Sequence, residues 1–164
     1  MSFSNELTRV FDKFNFLPES MRVPAFSFAF GIKVPFMSTA GVKIDVLEEQ
    51  RVELSLKNKR KAQNHLKQVH ASAMCLLAET ATGLVVGWNL PDGSLPLMKS
   101  MKLDFVKRST GDFKAVATLS DDQLEMIRNS PKGEVVVTVE LTDEKNIEPV
   151  LCEMTWAWIP KKRS

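Results

Sequence analysis

Residues 64–88 have the sequence NHLKQVHASAMCLLAETATGLVVGW, and we expect the rest of this 164-residue chain to pack around them. Between Val69 and Val86 nearly every residue is apolar or small, a pattern typical of a helix buried in a protein core. Glu79, near the middle, breaks this pattern because an unpaired carboxylate is costly to bury. Either a Lys or Arg from another strand neutralises the charge, or the chain retains the carboxylate for chemistry.

Composition and charge limit the classes of protein to which the chain can belong. It is 44% hydrophobic and 26% charged, which is ordinary for a soluble globular protein, and its length fits one domain, 1–164. The net charge of +2 does not indicate nucleic acid. Cys75 and Cys152 have no metal-binding spacing and indicate buried, reduced thiols. No signal peptide is recognised, and His70 and Glu79 argue against a membrane span. We expect a cytoplasmic protein with no metal, nucleic-acid or membrane partner.

The segments before the long helix are predicted to be a short helix and three strands. Apolar residues at helical spacing, with Ser4 as a cap, predict a helix over about residues 4–16. From Pro24 onward, large apolar residues alternate with smaller ones, which predicts a strand with one buried face. The alternating residues are Phe26, Phe28, Phe30 and Ile32. Residues 42–46 and 52–56 alternate in the same way and predict a hairpin.

After the long helix, predicted over about residues 70–87, the pattern is mainly that of strands joined by short turns. A capping-box sequence at Ser120 predicts one short helix among them. Short connections favour antiparallel pairing, so the fold class is α+β, with a single antiparallel sheet wrapped around one central helix. The predicted strands lie near residues 101–105, 113–119, 135–141 and 152–158.

The surroundings of Glu79 on the helix suggest a site. At 100° per residue, small or weakly polar residues such as Ser72, Cys75 and Gly83 share its side, while bulkier residues occupy the other sides. The amides of residues 71–74, in the first helical turn, have no partner within the helix and favour a developing negative charge. A carboxylate and an oxyanion site are two parts of a hydrolytic centre.

The spacing from Asn64 to His70 is six residues, and from His70 to Glu79 nine. Together with the sequence of residues 70–72, this pattern resembles the active-site segment of hotdog-fold acyl-CoA thioesterases, in particular the phenylacetate-pathway-like branch and an uncharacterised thioesterase-like subgroup. The resemblance covers roughly residues 28–158. It implies the hotdog fold, a long helix wrapped by an antiparallel sheet, which agrees with the element order above.

The resemblance implies a role for each matching residue. Glu79 would activate water or act as a nucleophile, and the backbone N–H of Ala71 would donate to the oxyanion. Asn64 would orient the water or the thioester, and His70 would support the loop. Ser100, on the strand after the helix, would complete the catalytic set.

The same resemblance implies the ligand and the assembly. The substrate would be a coenzyme A thioester, hydrolysed without a cofactor, and Ser72 would lie against it. The assembly would be a homodimer or a homotetramer, with the active site at the subunit interface. Four basic residues are candidates for binding the coenzyme A phosphates: Lys59, Arg60, Lys107 and Arg108.

The chain departs from the family pattern at two places. Ala71 and Ser72 replace a pair of glycines, and Glu79 replaces the aspartate of the phenylacetate-pathway-like branch, although another hotdog branch uses glutamate. A protein that binds acyl-CoA without hydrolysing it is therefore an alternative. A less favoured alternative is a 3-hydroxyacyl thioester dehydratase, in which His65 would act with Glu79.

Overall fold

The computed structural model describes residues 3–161, and the elements given below belong to this range. Five α-helices and one 3₁₀ turn, Arg60–Ala62, are present. The helices are α1 (Glu6–Asp12), α2 (Glu19–Lys33), α3 (Pro35–Ala40), α4 (Ala71–Asn89) and α5 (Asp121–Asn129). Six strands form one sheet: β1 (Val42–Leu47), β2 (Arg51–Leu56), β3 (Ser94–Phe105), β4 (Phe113–Thr118), β5 (Gly133–Asp143) and β6 (Val150–Pro160).

The sheet has the order β1-β2-β4-β5-β6-β3, and every neighbouring pair is antiparallel. The predicted α+β class and the predicted hairpin of β1 and β2 are therefore confirmed. Strands β1 and β3 form the two edges of the sheet. Strand β3 is longer than the sequence pattern predicts because a register shift between Met98 and Ser100 interrupts its alternation.

Helix α4 is the element around which the sheet curves. Twelve of its 19 residues are buried, and it packs against the strands β2 to β6. Its length and hydropathy would suit a membrane span, but its burial inside the sheet is that of a core helix. The observed span, Ala71–Asn89, extends two residues beyond the predicted end at about residue 87.

Helix α1 is anchored to the C-terminal end of α4. Asn5, rather than the predicted Ser4, caps α1 by accepting a hydrogen bond from the backbone N–H of Thr8. The Asn5 Nδ2 group also donates to the carbonyls of Gly87 and Leu90, at 2.9 and 2.8 Å. The buried Asn5 side chain thus caps α1 and also donates hydrogen bonds to carbonyls at the end of α4. The shorter side chain of Ser4 could not make both sets of contacts. Helix α1 is shorter than the predicted span of residues 4–16.

The prediction of a strand after Pro24 is wrong, because this segment forms helix α2. Phe26 and Phe30, four residues apart, stack at 5.8 Å between ring centroids, and Phe26 also packs edge-on against Trp88. Phe26 is 1% exposed, whereas Phe28 is 76% exposed. In a strand, residues two apart share one face, which is why the alternation predicts one buried face. In a helix, residues two apart lie on nearly opposite sides.

Helix α2 also covers the edge of the sheet at β1. The Ser27 hydroxyl accepts a hydrogen bond from the Ile44 backbone N–H at 2.9 Å. A sheet edge exposes unpaired backbone groups, and covering it with a helix is a common protection. The long-range contacts of this segment therefore favour a helix over the local strand pattern.

The helical assignment makes a prediction that a strand with one buried face does not make. Replacing Phe26 with Ala should lower the free energy of unfolding by about 3–5 kcal/mol, because a buried aromatic ring is lost. Replacing Phe28 with Ala should change it by less than about 0.5 kcal/mol. Urea unfolding followed by circular dichroism measures both, and equal losses would contradict the helix.

Candidate functional site

One side of α4 is not covered by the sheet. Ser72 is exposed, and Cys75, Glu79 and Gly83 are half-buried, whereas most other residues of the helix are buried. The thiol of Cys75 lies 3.2 Å from the Met101 sulfur, which places this side of the helix beside strand β3. We call these four α4 residues the open strip. It leaves Glu79 accessible from the β3 edge of the sheet.

The packing of Trp156 shapes the C-terminal part of the open strip. A Cβ atom at Gly83 would lie 2.6 Å from the indole ring, so a glycine is needed at this close approach. The indole Nε1 donates to the Thr82 hydroxyl at 2.9 Å, which fixes the ring against the helix. Trp156 therefore lies on β6 directly against α4, one turn beyond Glu79.

The Glu79 carboxylate is half-buried and has no positively charged partner in the described range, residues 3–161. No Lys, Arg or His nitrogen lies within 4.0 Å of it among residues 3–161. Its one side-chain hydrogen bond comes from the Thr80 hydroxyl at 3.4 Å. Burial raises the pKa of Glu79 above its usual value of 4.5, and the Thr80 hydrogen bond only partly opposes this. The ion pair considered as an alternative role for Glu79 is therefore absent from the described part of the chain.

The start of α4 presents one free backbone amide. The Ser72 N–H donates to His70 Nδ1 at 3.0 Å, and the amides of Ala73 and Met74 donate to the His70 carbonyl. Within residues 3–161, the Ala71 N–H has no hydrogen-bond partner. The predicted set of free amides, residues 71–74, thus narrows to Ala71. His70 is the N-cap of the helix, which is how it supports this end of the loop.

Asn64 lies in the loop that leads into α4. Its Oδ1 accepts hydrogen bonds from the backbone N–H groups of Leu66 and Gln68, at 2.9 and 3.2 Å. Its Nδ2 donates to no group in the part of the chain that the structure describes. The His70 N–H donates to the Ala62 carbonyl at 2.8 Å and ties the loop to the helix start. The side-chain amide of Asn64 therefore retains two donors for a ligand.

The structure groups the predicted catalytic residues only in part. His70 and Ala71 lie at the start of α4 and Asn64 lies in the preceding loop, whereas Glu79 lies eight residues beyond Ala71. At 1.5 Å per residue, the Cα atoms of Ala71 and Glu79 are about 12 Å apart along the helix axis. No hydrogen bond joins Asn64 to Glu79 within residues 3–161.

The remaining predicted site residues lie on exposed segments. Ser100 is exposed on β3 at the register shift and pairs with Thr155 on β6. Lys59 and Arg60 are exposed at the 3₁₀ turn before α4. Lys107 and Arg108 are exposed just after β3, so the four basic residues form two separate pairs.

The two cysteines are free thiols and are half-buried. Burial raises the pKa of Cys75, and the nearby charge of Glu79 raises it further. Burial also raises the pKa of Cys152, to about 11. Both thiols are therefore protonated near neutral pH, which makes them poor nucleophiles. Glu79 is the stronger candidate for a reactive group on this side of α4.

Two cavities lie beside α2 and do not include Glu79. One of about 600 Å³ lies between α2, α3 and β1, and one of about 500 Å³ lies between α1, α2 and the end of α4. Neither cavity is predictable from a sequence pattern that indicates a strand where α2 forms. The exposed Phe28 beside Lys43 and Lys61 belongs to the larger cavity.

Comparison with solved structures identifies the fold. A protein of unknown function from Pseudomonas aeruginosa, described as a probable thioesterase, aligns with a TM-score of 0.72 and 23% identity, over 82% of this chain and 93% of its own. A Haemophilus influenzae thioesterase aligns at 0.64 and 17%, over 78% and 85%. A Staphylococcus aureus thioesterase aligns at 0.66 and 20%, over 77% and 99%. The predicted hotdog fold is thereby confirmed.

The Staphylococcus aureus protein was crystallised in two variant forms. One replaces a glutamine with alanine and the other replaces a glutamate with alanine, at positions fifteen residues apart in that protein. At this level of identity the structural similarity establishes the fold and not the activity.

Comparison of sequences gives the family. Among curated proteins, no match to this chain was found. A family model described as a domain of unknown function, DUF4442, matches residues 23–159, which is most of the chain and includes α4, β1 to β5 and nearly all of β6. The match begins within α2 and ends within β6. The chain therefore belongs to the DUF4442 family.

Proposed function

We propose that this protein is an acyl-CoA thioesterase in which Glu79 activates the attacking water. The observation that carries the proposal is a half-buried carboxylate without a cation partner, on the open strip of the core helix. A structural carboxylate in this position would be expected to have a counter-charge, because an isolated buried charge is costly. A base whose pKa is raised is also better suited to proton transfer near neutral pH.

The proposed reaction uses three groups around α4. Glu79 removes a proton from water, and the resulting hydroxide attacks the thioester carbonyl carbon. The Ala71 N–H donates to the oxyanion that develops on the carbonyl oxygen. When the intermediate collapses, the C–S bond breaks, coenzyme A leaves as a thiolate and takes up a proton, and the free acid remains. The side-chain amide of Asn64 orients the water or the thioester.

The spacing of the carboxamide and the acid supports these roles. Asn64 precedes Glu79 by fifteen residues, the separation of the mutated glutamine and glutamate in the Staphylococcus aureus thioesterase. Asparagine and glutamine carry the same side-chain amide, so Asn64 can provide the same donors. Because residue 79 is a glutamate, we favour the hotdog thioesterase branch that uses glutamate over the phenylacetate-pathway-like branch, which has aspartate at this position.

We further propose that two copies of the chain form each active site. Strand β3 is an edge of the sheet, and apolar side chains along it are exposed: Leu95, Leu97, Met101 and Phe105. A long apolar edge of this kind is a template for pairing with another strand. Antiparallel pairing of two β3 strands would run the two α4 helices in opposite directions. The Ala71 amide of one copy would then approach Glu79 of the partner.

Binding of acyl-CoA without turnover is a second candidate function. A single free amide remains at the start of α4, and the Ala71 methyl group narrows the approach to it. This candidate predicts binding without thiol release. Dehydration has less support, because His65 is an exposed loop residue and makes no hydrogen bond to Glu79 within residues 3–161.

Replacing Glu79 with Gln should lower kcat for acyl-CoA hydrolysis by about 10²–10⁴-fold, because the amide cannot accept the proton. The variant should be at least as stable as the original, because it removes a partly desolvated charge. Thiol release across a panel of acyl-CoAs measures the rate. Glu140→Gln, at an exposed position on β5, is the matched control and should retain activity. Unchanged turnover in Glu79→Gln would remove the catalytic assignment.

The pH dependence of kcat/KM should report the titration of Glu79. The rate should fall as the pH is lowered through a pKa above 4.5, because burial raises the pKa of this carboxyl and the base must be ionised. A rate that stays constant down to pH 4.5 would contradict this assignment.

The fall of kcat/KM at low pH should not result from unfolding of the protein. The pKa of Glu79 is higher in the folded than in the unfolded chain, so this carboxyl stabilises the folded state at pH values below the unfolded pKa. The stabilisation is lost as the pH rises through the folded pKa. Asp92 and Asp112 have lowered pKa values because they accept hydrogen bonds from Arg9 and Lys57. Their stabilisation is lost only as the pH falls below about 3.9, the usual carboxyl range, and through their lowered values. Circular dichroism at each pH separates the two effects.

A further inference from the structure

The cavity of about 600 Å³ between α2, α3 and β1 has the chemistry of an anion site with an aromatic wall. Two lysines, Lys43 and Lys61, line it together with the phenyl ring of Phe28. Ser27, Gly31 and Ser38 also line the cavity. We call this space the α2–β1 cavity. Its lining combines cationic, aromatic and small polar groups.

The α2–β1 cavity carries a net positive charge. Within residues 3–161, neither Lys43 nor Lys61 forms an ion pair, and the Lys61 ammonium donates only to the Ser38 carbonyl, at 3.4 Å. Asp45 is the one carboxylate in the lining. Its charge also acts on Lys57, which directly follows β2 and whose pKa is raised mainly by a hydrogen bond to Asp112. The cavity therefore has two lysines and one carboxylate, and the negative charge of that carboxylate, Asp45, is also partly compensated by Lys57.

The Phe28 ring lines the cavity and is 76% exposed. An exposed aromatic ring offers a surface on which a nucleobase can stack, and lysines bind phosphate groups as point charges. Fatty acids would need a longer apolar wall and only one cation. The lining thus fits a nucleotide that carries more than one phosphate group.

We propose that the α2–β1 cavity binds the adenosine 3′,5′-bisphosphate end of coenzyme A. This inference rests on the proposed thioesterase function, because it extends the same substrate away from the thioester. Lys61 precedes Ala62, whose carbonyl accepts the hydrogen bond from His70, and Ala71 follows His70. One short segment therefore connects the cavity wall to the free amide at the start of α4. The flexible pantetheine arm of the substrate would bridge the two.

The cavity lining favours different basic residues for binding the coenzyme A phosphates than the four predicted from the sequence. Of the basic cluster at residues 59–61, Lys61 lines the cavity, whereas Lys59 and Arg60 do not. Lys43 lies on β1 and was not part of any basic cluster in the sequence. Lys61 comes from the 3₁₀ turn and reaches the Ser38 carbonyl of α3, so the two cations line one cavity although they are distant in sequence.

Isothermal titration calorimetry with adenosine 3′,5′-bisphosphate tests the cavity directly. The protein should bind it, and Lys61→Ala and Lys43→Ala should each raise Kd about tenfold, because each removes a charge-assisted hydrogen bond. Lys33→Ala is the matched control, since this exposed lysine belongs to α2 but does not line the cavity. Absence of binding, or equal weakening in Lys33→Ala, would overturn the proposal.

A kinetic comparison separates the cavity from the reaction. Lys61→Ala should raise KM for acyl-CoA about tenfold and leave KM unchanged for the matching S-acyl-N-acetylcysteamine, which lacks the nucleotide. An equal rise for both thioesters would overturn the assignment. If neither thioester is hydrolysed but the bisphosphate binds in a Lys61-dependent way, the cavity assignment stands and the proposed hydrolysis fails.

Discussion

The burial of one uncompensated carboxylate in the core helix is the constraint on which the rest of this structure depends. Helix α4 must be wrapped by the sheet to bury its apolar residues, but Glu79 needs access to water or to a ligand. Small residues on one side of the helix, together with the edge position of β3, meet both requirements. The open strip is therefore a consequence of how the sheet curves, and Glu79 lies where the wrapping ends.

The rigidity of α4 explains why a single chain does not complete the proposed centre. Its free amide and its carboxylate are held about 12 Å apart along one axis by the helical rise. Neither residue can move toward the other without breaking the helix. In the proposed dimer, a second copy related by a twofold axis perpendicular to β3 would supply each half with its complement, and the exposed apolar edge is a surface suited to such pairing.

The parts of the fold set by local periodicity were predictable from the sequence. The span of α4, the β1–β2 hairpin and the capping box of α5 were predicted because each rests on residues close in sequence. Helix α2 was not, because Phe26 gains its burial from distant partners such as Trp88. The α2–β1 cavity was missed for the same reason. Glu79 and Asn64 were identifiable as candidates by spacing, but the hydrogen-bond partners of both side chains within residues 3–161 became evident only in the structure.

Subunit complementation tests most directly whether two chains form one catalytic centre on α4. Glu79→Gln and Asn64→Ala chains, each inactive alone, are unfolded together, refolded as mixed dimers and assayed for thiol release from acyl-CoA. If Asn64 and Ala71 of one chain act with Glu79 of its partner, one intact site forms in each mixed dimer and hydrolysis returns. If each chain carried a complete site, every site in the mixture would contain one substitution, and the mixed dimers would stay inactive.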